Sequence, residues 1–301
     1  MCVQRSTAGT SGAPRAARRL RYSQPMADAP ETERAANGER QQSLQSLERG
    51  MAVIQVFSRE RPALTLSEVA NLTGITRATA RRILLTLEKL GHVRSDGRLF
   101  SLTPRVLSLG WAYLSSLDLW DVTQPLMEEL ADRTKESCSV ATLDLPDVVY
   151  VARVPTRRIM TISLGVGTRL PAHCTGMGRV LLAALPDSEL DAFLADTQLE
   201  AFTDRTIADA AGLRRAIETV RQEGWALVDQ ELELGLRSIA APLRTEGRTI
   251  GALNVAVAAS RVPLDELRGA MLPELLRTAQ LISRALDASR GNGRTAAAPA
   301  I

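Results

Sequence analysis

Lysine is almost missing from this chain. Of 37 basic residues only Lys89 and Lys135 are lysine, so nearly every cation carries the planar fork that matches phosphate or carboxylate. Histidine is confined to His92 and His173, and cysteine to Cys2, Cys138 and Cys174. An odd cysteine count without CxxC spacing argues against a disulfide framework and fits a reducing cytoplasm. A catalytic zinc would have to recruit distant carboxylates, so no metal site is expected. No apolar run approaches the roughly 18–20 residues of a helical membrane span, and the basic N-terminus lacks the apolar core of a signal peptide. GxGxxG, GxxxxGK[ST] and GxSxG are all absent, so no nucleotide cofactor or serine-hydrolase elbow is expected. Adjacent His173 and Cys174 make a poor dyad, because a base must reach its nucleophile at hydrogen-bond distance and itself be oriented. A cytoplasmic protein without catalysis, cofactor or membrane contact is the expectation.

What is present is a globular balance of 45% hydrophobic and 24% charged residues, with aromatics at only 3%. A chain of 301 residues favours about two domains. The net charge of +3 conceals an asymmetry: residues 1–103 hold sixteen basic and nine acidic residues, residues 104–301 twenty-one and twenty-five. A basic first third on a mildly acidic remainder points the first third at a polyanion.

Residues 1–42 lack apolar periodicity and read as a disordered basic segment; they form either a basic arm touching DNA or an extension upstream of a start at Met26. Residues 43–103 read as helix, short helix, tight turn, helix and hairpin. Leu47, Met51, Ile54 and Phe57 form one helical stripe. Thr65 or Ser67 caps the second helix and Gly74 stops it, and Asp96–Gly97 turns the hairpin. That order is a winged helix-turn-helix, mainly α. Thr103 and Pro104 start a linker helix over 104–120, with Leu107, Trp111 and Leu114 on one stripe, and Pro125 argues for a second helix from about Val122. Over 121–290, strands are expected at Cys138–Asp144, Asp147–Val154 and Arg158–Leu164, then helices, three more strands, and a C-terminal helix from about Leu264 to Leu286 broken at Pro273. Strands at both ends with helices between suggest an α+β domain on a mainly antiparallel sheet. Residues 291–301 read as a disordered tail.

The segment Thr76–Leu90 carries the chemistry of the first domain. At about 100° per residue, Ala80, Ile83, Leu84, Leu87 and Leu90 share one arc, while Ala78, Arg81, Arg82, Leu85 and Lys89 share the opposite one, with Arg77 at the flank. In a helix-turn-helix the N-terminal residues of the second helix approach base edges, where arginine pairs with guanine O6 and N7. Thr76 and Thr79 suit phosphate or base, Ala78 allows close backbone approach, and Arg94 and Arg98 on the hairpin suit the flanking backbone. A solvated basic face is the competing reading of an isolated helix; the short helix, the turn and the basic hairpin around it argue against that.

In the second domain, Thr175 stands at a helix start, where free N–H groups favour an anion, and Gly176 and Gly178 permit either ligand approach or helix–sheet packing. Ser238 and Asn254 interrupt apolar strands, Arg153 and Arg169 suit a carboxylate or plain solvent, and Asp229 and Glu231 belong either to the site or to a solvated acidic turn.

These motifs together resemble the IclR-type bacterial transcription regulators, over about residues 44–288. Ser46–Gly50 ("SLERG"), Arg82–Leu87 ("RILLTL"), Arg169–Ala183 ("RLPAHCTGMGRVLLA") and Val228–Leu243 ("VDQELELGLRSIAAPL") carry the likeness. Phe100–Ser116 and Val151–Pro171 resemble the subgroup regulating protocatechuate and 4-hydroxybenzoate breakdown, the β-ketoadipate pathway. Many members have serine or threonine where Ala78 stands, so no relative's operator sequence transfers. The resemblance implies a GAF-like effector-binding domain and the pairing of dimers into a dimer of dimers; a homodimer reading a near-palindromic operator on double-stranded DNA is expected because two-fold proteins match two-fold sites. It implies as effector a small carboxylate, an aromatic acid or its ring-cleavage product, held by residues drawn from Arg153, Arg169, His173, Thr175, Gly176, Met177, Asp229, Arg237, Ser238 and Asn254. A regulator of an unrelated carbon-source operon and an effector-independent DNA-binding protein are the alternatives.

Overall fold

The computed structural model describes residues 44–116, 120–156 and 164–295. The expected basic segment 1–42 and all but the last residue of the expected strand at Arg158–Leu164 lie outside them. Contacts divide the chain between Thr103 and Pro104 into two compact units.

In the first unit α1 (Gln45–Gln55) leads to a short strand β1 (Ala63–Thr65), α2 (Leu66–Thr73), α3 (Arg77–Lys89), β2 (Val93–Ser95) and β3 (Leu99–Leu102). A capping box starts α2: Thr65 Oγ1 accepts the Glu68 N–H at 3.3 Å and the Glu68 carboxylate accepts the Thr65 N–H at 2.7 Å. Gly74 ends it at φ +67°, a conformation open to glycine, and α3 begins three residues later. Strand β1 was not legible in the sequence, being too short to show alternation; it pairs with β3 to give the sheet order β1-β3-β2. Val53, Leu64, Val69, Ala70, Ala80, Leu84, Leu87 and Val93 form the buried core. Ile54 and Phe57 pack against that core, but Leu47 (63% exposed) and Met51 do not, because it begins only at Val53. Leu90, expected in the buried arc of α3, is its exposed C-cap.

The second unit opens with a 3₁₀ turn at Pro104–Val106, where the linker helix was expected to start, and then α4 (Leu107–Ser116). Helix α5 (Trp120–Thr134) begins two residues ahead of the expected start at Val122 and carries Pro125 within it. Six strands follow in the order β6-β5-β4-β9-β8-β7, every neighbouring pair antiparallel: β4 (Ser137–Asp144), β5 (Asp147–Val154), β6 (Arg169–Pro171), β7 (Ala226–Asp229), β8 (Leu236–Thr245) and β9 (Arg248–Ala258). Alternation sends Cys138, Val140, Ile239, Leu253 and Val255 to one face, against α5 and the C-terminal helix. Ala141, Tyr150, Ala240 and Ala252 face α6 (Gly176–Ala183), α7 (Asp187–Asp196) and α8 (Ala210–Glu223) on the other. The C-terminal helix is continuous: α9 (Leu264–Glu266) passes through a π turn at Leu267–Met271 into α10 (Leu272–Thr295). The expected break at Pro273 is replaced by that π turn, in which the Leu272 N–H reaches back to the Leu267 carbonyl. Residues 291–295, expected in the tail, continue the helix, since extending a formed helix costs little.

Candidate DNA-reading helix and effector site

Thr76 caps α3: its Oγ1 accepts the Thr79 N–H at 3.2 Å and lies 3.0 Å from Thr79 Oγ1. The two hydroxyls first serve the helix start, which fixes the orientation of the turn that follows. Arg77, Ala78, Arg81 and Arg82 are exposed, and Leu85 with them, while Ala80, Leu84 and Leu87 are buried. Among the described residues no carboxylate forms an ion pair with Arg77, Arg81 or Arg82. A solvated face on a marginal helix usually gains acid partners; here the first two turns present uncompensated guanidinium groups. The wing is built by Asp96, whose Oδ1 accepts the N–H groups of Arg98 (3.0 Å) and Leu99 (2.7 Å), with Gly97 at φ +96°. Arg94 and Arg98 stand exposed on either side of that tip.

In the second unit the proposed effector residues separate into two groups. Cross-strand register sets Arg153, Ser139 and Asn254 opposite one another on β5, β4 and β9, with Ala240 of β8 continuing the row. Ser238 belongs to the same face, one pleat further on. Asn254 is 5% exposed, and among the described residues its Oδ1 has no hydrogen-bond partner. Arg153 is half-buried, and burial disfavours its charged form; no described carboxylate pairs with it. Gly176, in the first turn of α6, sits directly over this face: a Cβ there would lie 3.0 Å from Ser238 Oγ. Met177 beside it is buried in the core. An unpaired cation, an orphaned acceptor and a glycine-thinned helix end converge on one patch, which suits a small anion that also carries a hydrogen-bond donor.

The other residues are committed elsewhere. Arg169 is held by Asp144 and, at 3.0 Å, by Asp147, opposite Val149 and so four residues along β5 from Arg153, about 13 Å of strand. Arg237 pairs with Asp229 and donates to the carbonyls of Ala259 (3.2 Å) and Val262 (2.9 Å), pinning the turn after β9. Asp229 also pairs with Arg205 at 2.7 Å. Thr175 Oγ1 donates to the Pro171 carbonyl (3.2 Å) and caps α6 through the Gly178 N–H (3.1 Å). His173 is buried, hydrogen-bonded from Nε2 to the Glu200 carbonyl at 3.0 Å and stacked on Phe202; burial lowers its pKa, keeping the ring neutral. Burial pushes the thiol of Cys174 up to about 12, far from a nucleophilic thiolate.

Ser139 and Arg179 were not legible in the sequence. Ser139 had only its place among apolar strand neighbours as a signal. Glu231, expected either in the site or in a solvated acidic turn, is instead buried in an ion pair with Arg179, Nη2 to Oε2 at 2.5 Å, which no local signal across their separation in sequence announces.

A winged helix with an uncompensated basic reading helix, followed in the same chain by a sheet domain layered with helices, defines a DNA-binding transcription regulator. Comparison with known families agrees. The model for the bacterial transcriptional regulator IclR C-terminal domain matches residues 111–284 and that for the IclR helix-turn-helix domain residues 46–97. The chain belongs to the IclR family, whose members are regulators and not enzymes. It is 47% identical to the Pca regulon regulatory protein of Pseudomonas putida over 77% of this chain and 80% of that protein. Among solved structures, a transcriptional regulator from Rhodococcus sp. RHA1 superposes with a TM-score of 0.74 at 51% identity, covering 82% of this chain and all of that one. An IclR homolog from Microbacterium hydrocarbonoxydans complexed with 4-hydroxybenzoate superposes with a TM-score of 0.73 at 25% identity, covering 81% of this chain and all of that one. No helix among the described residues is long and apolar enough to cross a membrane.

Proposed function

We propose that this regulator controls an operon for aromatic-acid breakdown from the cytoplasm, and that a small aromatic carboxylate changes its hold on the operator. The first unit, residues 43–103, reads DNA through Arg77, Ala78, Arg81 and Arg82, with Thr76, Thr79, Arg94 and Arg98 on the backbone. The second, residues 121–290, holds the effector over the face of Ser139, Arg153, Ser238 and Asn254, roofed by Gly176 of α6. The observation that carries this reading is Asn254 Oδ1, without a hydrogen-bond partner among the described residues, in the same row as Arg153, which no described carboxylate pairs. Arg153 supplies the charge for a carboxylate. The Asn254 amide offers an acceptor and, turned over, a donor; a phenolic hydroxyl answers either, whereas a second carboxylate answers only the donor. The two positions lie two strand spacings apart, about 10 Å, within reach of a ring substituted at both ends plus an arginine side chain. This favours a hydroxybenzoate over a ring-cleavage dicarboxylate. The likeness to a 4-hydroxybenzoate complex and to a Pca regulon regulator supports the same choice. Of the other expected effector residues, Thr175 and Met177 flank Gly176, whereas Arg169, His173, Asp229 and Arg237 hold the surroundings.

The active form is a homodimer on a near-palindromic operator, since two-fold proteins match two-fold sites. Leu107 (74% exposed) and Trp111 (61%), one turn apart on α4, give it an apolar seam.

Isothermal titration of 4-hydroxybenzoate into the wild type and Arg153→Met tests the site. Loss of a charged hydrogen bond of about 1.5–3 kcal/mol weakens binding roughly 10- to 100-fold. Unchanged affinity in Arg153→Met moves the site elsewhere.

A further inference from the structure

Glu231 ties together three segments that are remote in sequence. Its carboxylate meets Arg179 of α6 at 2.5 Å and accepts the Ile207 N–H at 3.2 Å. Its backbone carbonyl accepts the Thr206 hydroxyl at 2.5 Å. Arg179 in turn donates from Nε to the His173 carbonyl at 3.3 Å, just ahead of α6. Both partners are buried, Arg179 at 5% and Glu231 at 7% exposure. Arg179 stands one helical turn beyond Gly176, the residue that lies against Ser238. Nothing in DNA reading or in the effector contacts uses this pair.

Replacing a buried ion pair with apolar groups of similar size is often neutral or stabilising, so stability alone does not account for it. A two-pronged guanidinium bonded to a side chain on one side and a backbone carbonyl on the other does fix direction. We infer that the Arg179–Glu231 pair is a positioning device for the effector site, locking the first turn of α6 over Ser238 and Asn254. This rests on the effector-site reading above, and the test separates the two.

The full-length double variant Arg179→Met/Glu231→Leu removes both charges at once and leaves neither unpaired. Its Tm is expected to fall by several degrees, because the Ile207 N–H and the His173 carbonyl each lose a partner, and its operator affinity without effector to be unchanged. Amide hydrogen exchange across residues 172–183 is expected to quicken at least about tenfold, and affinity for 4-hydroxybenzoate and protocatechuate to fall by about tenfold or more, as for a misplaced contact. Exchange and affinity equal to wild type would overturn the proposal; if neither acid binds the wild type, the exchange measurement decides alone. Should the double variant fail to fold, Arg179→Lys serves: it keeps a charge for Glu231 but cannot also reach the His173 carbonyl. It is expected to shift both readouts in the same direction, and wild-type behaviour would count equally against the proposal. Affinity lost in the double variant but kept in Arg153→Met would overturn the site assignment and leave the device standing. The reverse pattern would overturn the device alone.

Discussion

A methyl group added at Gly178 would stand 2.0 Å from the Ala172 carbonyl oxygen and 2.4 Å from its Cα. Neither atom belongs to a flexible side chain, so backbone must move. Gly178 therefore serves the docking of α6 on the turn before it, whereas at Gly176 the nearest atom is the hydroxyl of Ser238, part of the proposed site. We predict that Gly178→Ala costs about 3 kcal/mol, a fall in Tm of roughly 6–12 °C. Thermal unfolding followed by circular dichroism checks this, and an unchanged Tm would mean that the two segments do not approach so closely. Chemical type does not settle a residue's role here. Arg153, Arg169 and Arg237 were equivalent as cations; the carboxylates of Asp144, Asp147 and Asp229 occupy two of them and leave Arg153.

At the scale of elements, α3 depends on both of its faces. Ala80, Leu84 and Leu87 anchor it in the core, and Gly74 at φ +67° sets the turn that aims it. Because Arg82 is exposed and forms no ion pair among the described residues, Arg82→Ala should leave folding intact while removing about 1–3 kcal/mol of discrimination between operator and random DNA. Competition binding at one salt concentration measures that ratio, and an unaltered ratio would remove Arg82 from base reading. The winged helix was legible because its punctuation is local: a capping threonine, Gly74 and the Asp96–Gly97 turn all act within a few residues. Strand β1 was not, since three residues acquire strand geometry only from pairing with β3. In the second unit, Asn254 and Ser238 showed themselves as polar breaks in apolar strands. The ion pairs that retire Arg169 and Arg237, and the Arg179–Glu231 pair, exist only once distant segments meet.

At the scale of the whole molecule two equilibria, effector binding and DNA binding, meet in one chain. An effector shifts DNA binding only if it has unequal affinity for the DNA-binding and non-binding states; a tenfold inequality moves the balance by about 1.4 kcal/mol. The basic first third and acidic remainder place the attraction for phosphate at one end of the sequence, so affinity has to be compared at a single ionic strength. The most direct test is a fluorescence-anisotropy titration of a labelled fragment from the protein's own upstream region, at fixed salt. It is run without acid and then with 4-hydroxybenzoate, protocatechuate or β-ketoadipate. Saturation is expected at two chains per site, or a multiple of two, with an affinity shifted about tenfold or more by a hydroxybenzoate but not by the dicarboxylate. Saturable binding that none of the acids alters, or one chain per site, would contradict it.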